Sequence, residues 1–465
     1  MTTDTNSRLA AHGRREFSSF RDPSGYLFWE HGQIYRRVLA PYAKQYDAAT
    51  SAGLFARAIS DGRLLPFEEL PGRREAETTA ILRPAQLTFV SYPYEWSFDQ
   101  LKDAALVTLD LHLQALEHEM LLKDASAYNI QFVGGRPQLI DHLSFDFLSE
   151  YGAWPAYGQF CRHFLAPLAL MAYVDLSLGK LSQLYLDGVP LELAASLLPR
   201  RTKLRPGIYL HLHLHAKMQK AHGGTRKKVS GRKLSAPQLK AIASSLRSLV
   251  ASLKPRNQET EWGSYYEETN YTGTAFGAKR NIVREMMSAA QPKTMWDVGG
   301  NNGEFSRAVA DLVPNIVCMD IDPAAVIANY NICKRTGVAN ILPLVVDLTN
   351  PSPAIGFANE ERAALQGRSR PDAILALALV HHLAISNNLP LEYIAAHFAD
   401  LAETLVIEFV EKSDSQVQRL LLNRKDIFPH YTEAGFEAAF GTRYEIEQKQ
   451  PIPGAARTLY LMRRK

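Results

Sequence analysis

Asp297-Val298-Gly299-Gly300-Asn301-Asn302-Gly303-Glu304-Phe305 holds the densest run of chemistry-bearing residues in the chain. It follows an apolar run that reads as a strand and opens one that reads as a helix. Glycines at such a turn let the backbone approach a ligand closely and adopt positive φ. The free N–H groups at a helix start favour an electron-rich partner. Twenty-three residues after Asp297, Asp320 closes the next strand-like run, where a carboxylate can accept both hydroxyls of a ribose. Asp347 closes the third, where its carboxylate or the neighbouring amide can meet an adenine edge. Each of these alone reads equally well as a tight connection. Together, at successive strand tips near a topological switch, they point to an adenosine-type cofactor. The run Gly299-Gly300-Asn301-Asn302-Gly303 lacks the Gly-x-Gly-x-x-Gly spacing of a dinucleotide site.

Other residues could add chemistry. After the fourth strand-like run come His381 and His382, either of which can act as a base or substrate ligand; a capping or packing role competes. Glu408 and Glu411, near the end of the fifth, are further pocket candidates. Trp262-Gly263-Ser264-Tyr265-Tyr266 and Asn270-Tyr271 suit either a lid over a cofactor or interdomain packing. Asp124, Asn129 and Asp141 offer oxygen ligands at a spacing that suits a hard cation, or a turn held by local hydrogen bonds. His211, His213 and His215 alternate with leucines, so on a strand they would share one face. No Cys or acidic residue lies nearby in sequence to complete a zinc site, and no metal is expected.

The elements that must position these residues follow from periodicity. Strand candidates at 295–298, 316–320, 341–346, 373–377 and 405–409 alternate with helical stretches, which implies a parallel sheet covered on both faces. Residues 444–449 and 458–462 flank Pro451-Ile452-Pro453-Gly454 and read as an antiparallel hairpin. In the first half, short strands precede helices, with helical patterns over 101–122, 160–186 and 236–253. A chain of 465 residues exceeds one core. The expected organisation is a disordered tail over 1–20, an α+β domain over 21–253, a linker and lid over 254–278, and an α/β domain over 279–465.

Composition narrows the class. Apolar residues at 46% and charged residues at 22% exclude a largely disordered or fibrous chain. No apolar run reaches the ~20 residues of a membrane span, and no secretory pattern opens the chain. Three cysteines without metal or redox spacing suit a reducing, cytoplasmic setting. No membrane partner is expected. Between Glu192 and Glu259 there are fifteen Lys and Arg and no acid, so residues 200–256 form either a solvated face or a contact for a polyanion.

Residues 297–303 resemble motif I of class I S-adenosylmethionine (SAM)-dependent methyltransferases, with Asn301 at the place of the usual middle glycine. The likeness continues through Met319-Asp320-Ile321-Asp322-Pro323, Val345-Val346-Asp347 and the closing hairpin, and covers about 279–465. It implies a Rossmann-like seven-stranded sheet with an antiparallel last strand. It also implies that Asp297, Gly299, Gly300, Asn301 and Gly303 meet the amino-acid part of SAM, Asp320 the ribose and Asp347 the adenine. Catalytic groups of that family usually follow the fourth strand, where His381 and His382 stand.

The segment from Lys123 through Asn129, with Asp141, is similar to the catalytic and metal-binding loops of protein-kinase-like and aminoglycoside-phosphotransferase folds. That likeness assigns hydroxyl orientation to Asp124 and Mg-ATP binding to Asn129 and Asp141. Leu122-Lys123 stands where those families carry His, and residues 21–100 hold no glycine-rich phosphate loop and no clear strand lysine paired to a helix glutamate, for which Arg36 or Arg37 is a candidate replacement. The whole chain resembles bacterial two-part proteins of the nodulation-protein-type methyltransferase group, on residues 91–98, 122–129 and 381–382. The resulting expectation is a SAM-dependent methyltransferase with an unidentified small-molecule or protein acceptor, and an N-terminal domain handling substrate or partner. The alternatives are a bifunctional kinase-methyltransferase and a non-catalytic SAM-binding scaffold.

Overall fold

A computed structural model describes residues 14–71, 77–222, 233–256, 273–422 and 425–465. The chain forms two compact units, Met1–Asn257 with Ala354–Ala363, and Gln258–Pro353 with Ala364–Lys465. The second boundary departs from the contiguous domains expected above. Ala354–Ala363 interrupts the second unit in sequence but folds with the first. Glu361 is buried there and accepts from Arg21 Nε at 2.9 Å, the Ala363 N–H donates to the Tyr92 hydroxyl at 2.9 Å, and the Arg362 guanidinium lies 4.4 Å from the Tyr128 ring centre.

The first unit opens with an antiparallel sheet of β1 (Arg14–Arg15), β2 (Gly25–Glu30), β3 (Gln33–Leu39), β4 (Phe67–Glu69) and β5 (Thr78–Pro84), in the order β1-β2-β3-β5-β4. The β2–β3 hairpin turns through His31 and Gly32, both at positive φ, which matches the twist of the flanking strands. Residues 14–20 are therefore ordered, contrary to the expected tail: β1 pairs with β2, and the Trp29 indole donates to Glu16 at 2.7 Å.

Helix α1 (Phe98–Ala115) starts at a Ser97/Gln100 capping box. It is shorter than the pattern over 101–122 suggests. Glu119 takes a left-handed conformation, and Met120 begins β6 (Met120–Leu122). Strands β7 (Ile130–Val133) and β8 (Arg136–Leu139) form a hairpin, β6 pairs with β9 (Phe145–Phe147), and α2 (Ala236–Ser252) packs along α1.

The second unit is a seven-stranded sheet of β10 (Thr294–Val298), β11 (Asn315–Asp320), β12 (Ile341–Val345), β13 (Ala373–Ala376), β14 (Thr404–Val410), β15 (Tyr444–Pro451) and β16 (Arg457–Arg464). The order is β12-β11-β10-β13-β14-β16-β15. The first five strands run parallel, and β16 inserts antiparallel between β14 and β15. Every residue of β14 is buried, as a strand covered on both faces requires. Helix α3 (Gly273–Ala290) packs against β14 and against α4 (Glu304–Ala308), and α5 (Pro323–Thr336) packs against β11 and β12. Helix α5 is bounded by an Asp322 N-cap and a left-handed Gly337. The order reverses direction at β10, so the crevice beyond the tips of β10, β11 and β13 is where such a sheet binds ligands. The aromatic lid candidates Trp262–Tyr266, Asn270 and Tyr271 lie outside the described residues.

Candidate cofactor and acceptor site

The loop after β10 is built on backbone conformations that few residues tolerate. Gly299, Asn301 and Gly303 have φ of 75°, 48° and 77°. Asparagine is among the few non-glycine residues that enter this left-handed region readily, which explains how Asn301 stands where a glycine is usual. Gly300 has ordinary φ, but a Cβ there would overlap the Cys318 sulfur and lie 2.8 Å from Asp297 Oδ2. The N–H groups of Gly299 and Gly300 donate to the Met319 carbonyl at 2.8 and 3.0 Å, so the loop is tied to β11 and not held by α4, which is only five residues long.

Three carboxylates stand at the strand tips. Asp297 accepts from the Ser306 hydroxyl at 2.6 Å; burial, with Asp320 nearby, raises its pKa to about 6. Asp320 accepts from the Asn301 N–H at 2.8 Å and the Asp322 N–H at 2.9 Å, and burial raises it also to about 6. Asp347 Oδ1 accepts from the Thr349 N–H and hydroxyl at 2.8 and 2.7 Å. All three, with Gly299, Gly300 and Asn301, line one cavity of about 410 Å³, a volume typical of small-molecule sites. Gly303 is not on its wall; it is required for packing, since a Cβ there would overlap Asn329.

The paired histidines separate in role. His382 lines the cavity, and burial lowers it to about 4, so it is neutral at physiological pH. His381 is 1% exposed, does not line the cavity, and is held well below its usual range by burial and by its neighbours His382, Arg457 and Lys279.

Behind the cavity lies a network that the sequence reading only half found. Glu408 is fully buried. It accepts from Lys279 Nζ at 2.7 Å and from the Ala378 N–H at 2.7 Å, with Arg457 at 3.5 Å. Ala378 carries φ of 48° and lines the cavity beside Lys279. The buried pair thus fixes a strained turn in the cavity wall. The available signal was a single glutamate inside an otherwise uncharged strand. Glu411 instead accepts from the Ser413 hydroxyl at 3.0 Å and does not line the cavity.

In the first unit the structure brings Asp124, Asn129 and Asp141 together, with each acid already engaged. Asp141 accepts from Arg36 at 2.7 Å, from the Leu143 N–H at 3.2 Å and from the Ser144 hydroxyl. Asp124 accepts from the Ser126 N–H at 2.9 Å, and its pKa is raised by burial and by Asp141.

The histidine strand is corrected. Residues 206–222 are helical, with His211 bonded to the Tyr157 and Ser245 hydroxyls at 3.0 Å each and His213 to the Thr202 hydroxyl at 2.8 Å. Helical spacing turns the imidazoles to different partners. Among the described residues no cluster of His, Cys, Asp and Glu suits a metal ion.

The strand order and the carboxylate-tipped cavity define a methyltransferase-like Rossmann-type unit joined to an α+β unit. No protein-family profile matches the chain. It is 35% identical to nodulation protein NoeA of Rhizobium meliloti (strain 1021) over 477 aligned positions, covering all of both chains. The chain belongs to this nodulation protein family. Solved structures similar to it include the N-methyltransferase NodS of Bradyrhizobium japonicum WM9 (11% identity, 41% of this chain and 97% of that one, TM-score 0.31). Another is the magnesium protoporphyrin IX methyltransferase of Synechocystis PCC 6803, with bound SAM (13% identity, 45% and 86%, TM-score 0.29).

Proposed function

We propose that the chain is a SAM-dependent methyltransferase whose acceptor enters beside His382. The observation that carries this reading is the single cavity bounded by the Gly299–Asn301 turn, Asp297, Asp320 and Asp347. The residues fit the cofactor. Gly300 brings bare backbone to the cavity wall, since a Cβ there would overlap Cys318, and the Asp320 carboxylate has acceptor capacity beyond its backbone donors for a ribose diol. On this reading Asp347, on the wall of the same cavity, meets the adenine edge, and Asp297 offers a charge for an ammonium group. When bound, SAM supplies an electrophilic methyl group.

The protein's task is alignment. The Ala378 turn, held by Glu408, forms the wall against which an acceptor rests. His382, being neutral, can take a proton from an acceptor that must lose one. The N-terminal unit handles substrate or partner in this reading. A kinase activity would require Asp141 to exchange its Arg36 and Ser144 contacts for a metal, and those contacts favour a scaffold.

The test is mass spectrometry of rhizobial extract incubated with the protein and methyl-labelled SAM. A labelled product and S-adenosylhomocysteine formation, both lost in Asp320→Ala, are expected. SAM binding without turnover on any extract would favour the scaffold alternative.

A further inference from the structure

Exposed apolar side chains are concentrated on one stretch of the first unit. Among the described residues thirteen large hydrophobic side chains are exposed, and six of them fall within residues 184–218. Leu184 and Leu204 are 76% and 85% exposed. Single exposed leucines are ordinary, but a cluster in one short stretch marks a contact surface.

The helical run over 206–222 gives this surface a shape. Tyr209, Leu210 and Met218 face solvent, and Leu214, between Leu210 and Met218 at four-residue steps, is half-buried. Four-residue steps place them in one stripe along the helix. The opposite face carries Ile208, Leu212 and Ala216, all buried. The hydrogen bonds of His211 and His213 fix the rotation of the helix about its axis, so the stripe cannot roll inward. Leu184 borders a cavity of about 540 Å³ that Gln219 also lines, which puts this leucine near the Met218 end of the stripe.

The charged residues that flank the stripe in sequence are cations, while Asp187 and Glu192 line the cavity at its Leu184 end. Arg200, Arg201, Lys203, Arg205, Lys217 and Lys220 are all exposed, and no acid occurs between Glu192 and Glu259. Cations alone would serve any polyanion. Cations interleaved with exposed leucines serve a surface that offers phosphate groups above an apolar layer. Nucleic acid supplies the phosphates but gives leucine side chains no apolar layer to enter.

We propose that this face docks the protein peripherally on an anionic lipid bilayer, with the basic residues at the headgroup phosphates and Leu204, Leu210 and Met218 at the acyl boundary. No described helix is long and apolar enough to cross a membrane, and peripheral docking needs none. The expectation of no membrane partner rested on the lack of a spanning segment, and an interfacial face is a different device. The proposal is independent of the methyl-transfer reading.

The test is co-sedimentation of the full chain with vesicles of phosphatidylcholine alone and of phosphatidylcholine with about 30 mol % phosphatidylglycerol. Partition at least about tenfold stronger onto the anionic vesicles is expected, weakening as salt rises. Leu204→Glu/Leu210→Glu should reduce it by about tenfold or more, with an unchanged thermal melt showing that the fold is intact. Arg200→Ser/Arg201→Ser should reduce it too. Equal partition onto both vesicles, or partition indifferent to the leucine pair, overturns the proposal. Absence of vesicle binding overturns it as well. If RNA then binds to wild type and leucine variant alike, the basic face serves nucleic acid. If ultracentrifugation shows a dimer that the leucine variant loses, the face belongs to a second copy.

Discussion

Asp320→Asn separates cofactor binding from folding. The carboxylate accepts two backbone N–H groups and is raised from an ordinary 3.8 to about 6. A shift of that size corresponds to about 3 kcal/mol that the ionised group costs the ligand-free fold at neutral pH. Asparagine removes this cost, keeps one acceptor oxygen, and turns an N–H₂ toward the other backbone donor, a loss of about 1–3 kcal/mol. The two terms nearly cancel, so the ligand-free melting temperature should move little. Binding should not escape so lightly. Hydrogen bonds from a ribose diol to a charged acceptor contribute about 1.5–3 kcal/mol, so SAM affinity should fall about 10- to 100-fold.

The pH dependence has a definite sign. Asp297 and Asp320 are raised in the fold, so the folded chain holds their protons more tightly than the unfolded chain. Their contribution to ligand-free stability is therefore largest below about pH 4 and declines as pH rises through about 6. SAM affinity should run the other way, strengthening across the same window as both carboxyls ionise. Calorimetric titrations at several pH values on both proteins measure this. The variant should show a smaller pH step, the remainder belonging to Asp297. A variant that binds SAM within twofold of wild type, with the same pH profile, would refute the assignment of Asp320 to the ribose.

Other substitutions probe the rest of the site. Glu408→Ala leaves Lys279 as a buried charge without its 2.7 Å partner and should cost roughly 3–5 kcal/mol in denaturant unfolding. Gly303→Ala adds a Cβ at φ of 77° and against Asn329; a loss of about 2–4 kcal/mol is expected. Asn301→Gly should be tolerated within about 1 kcal/mol, whereas Asn301→Val, forced to φ near 48°, should lose about 1–3 kcal/mol, both read from thermal melts. His382→Ala should lower turnover of a labelled acceptor at least tenfold while calorimetric SAM affinity stays within about twofold; a matching loss of affinity would move His382 to the cofactor's side of the cavity.

Much of the second unit was legible because its information is local. Each parallel strand is a short, mostly apolar run, and Asp297, Asp320 and Asp347 fall at or within two residues of the ends of the first three. The β-strand ranges from 294 to 464 accordingly differ from the sequence expectation by a few residues at most. The turn needed no partner to be recognised, since positive φ at Gly299 and Gly303 is a demand on the residue itself. The histidine run failed for the complementary reason. Alternating Leu and His has the period of a strand, but helical packing of 206–222 overrode it, a preference set by what the helix buries and invisible within six residues.

What sequence could not supply is pairing over distance. Lys279 and Glu408 are 129 positions apart, and each alone reads as an ordinary charge; only the fold brings them to one point behind the Ala378 turn. The excursion of Ala354–Ala363 is the same kind of fact. Nothing in Ile355, Glu361 or Arg362 announces that they belong with Tyr92, Arg21 and Tyr128. Yet the excursion begins seven residues after Asp347, so the chain that leaves β12 passes within a few residues from the cavity wall to a segment of the first unit. A chain built this way cannot shed its first unit without exposing Ile355 and leaving Glu361 without Arg21. That is a physical reason for two units of unlike fold to stay on one polypeptide.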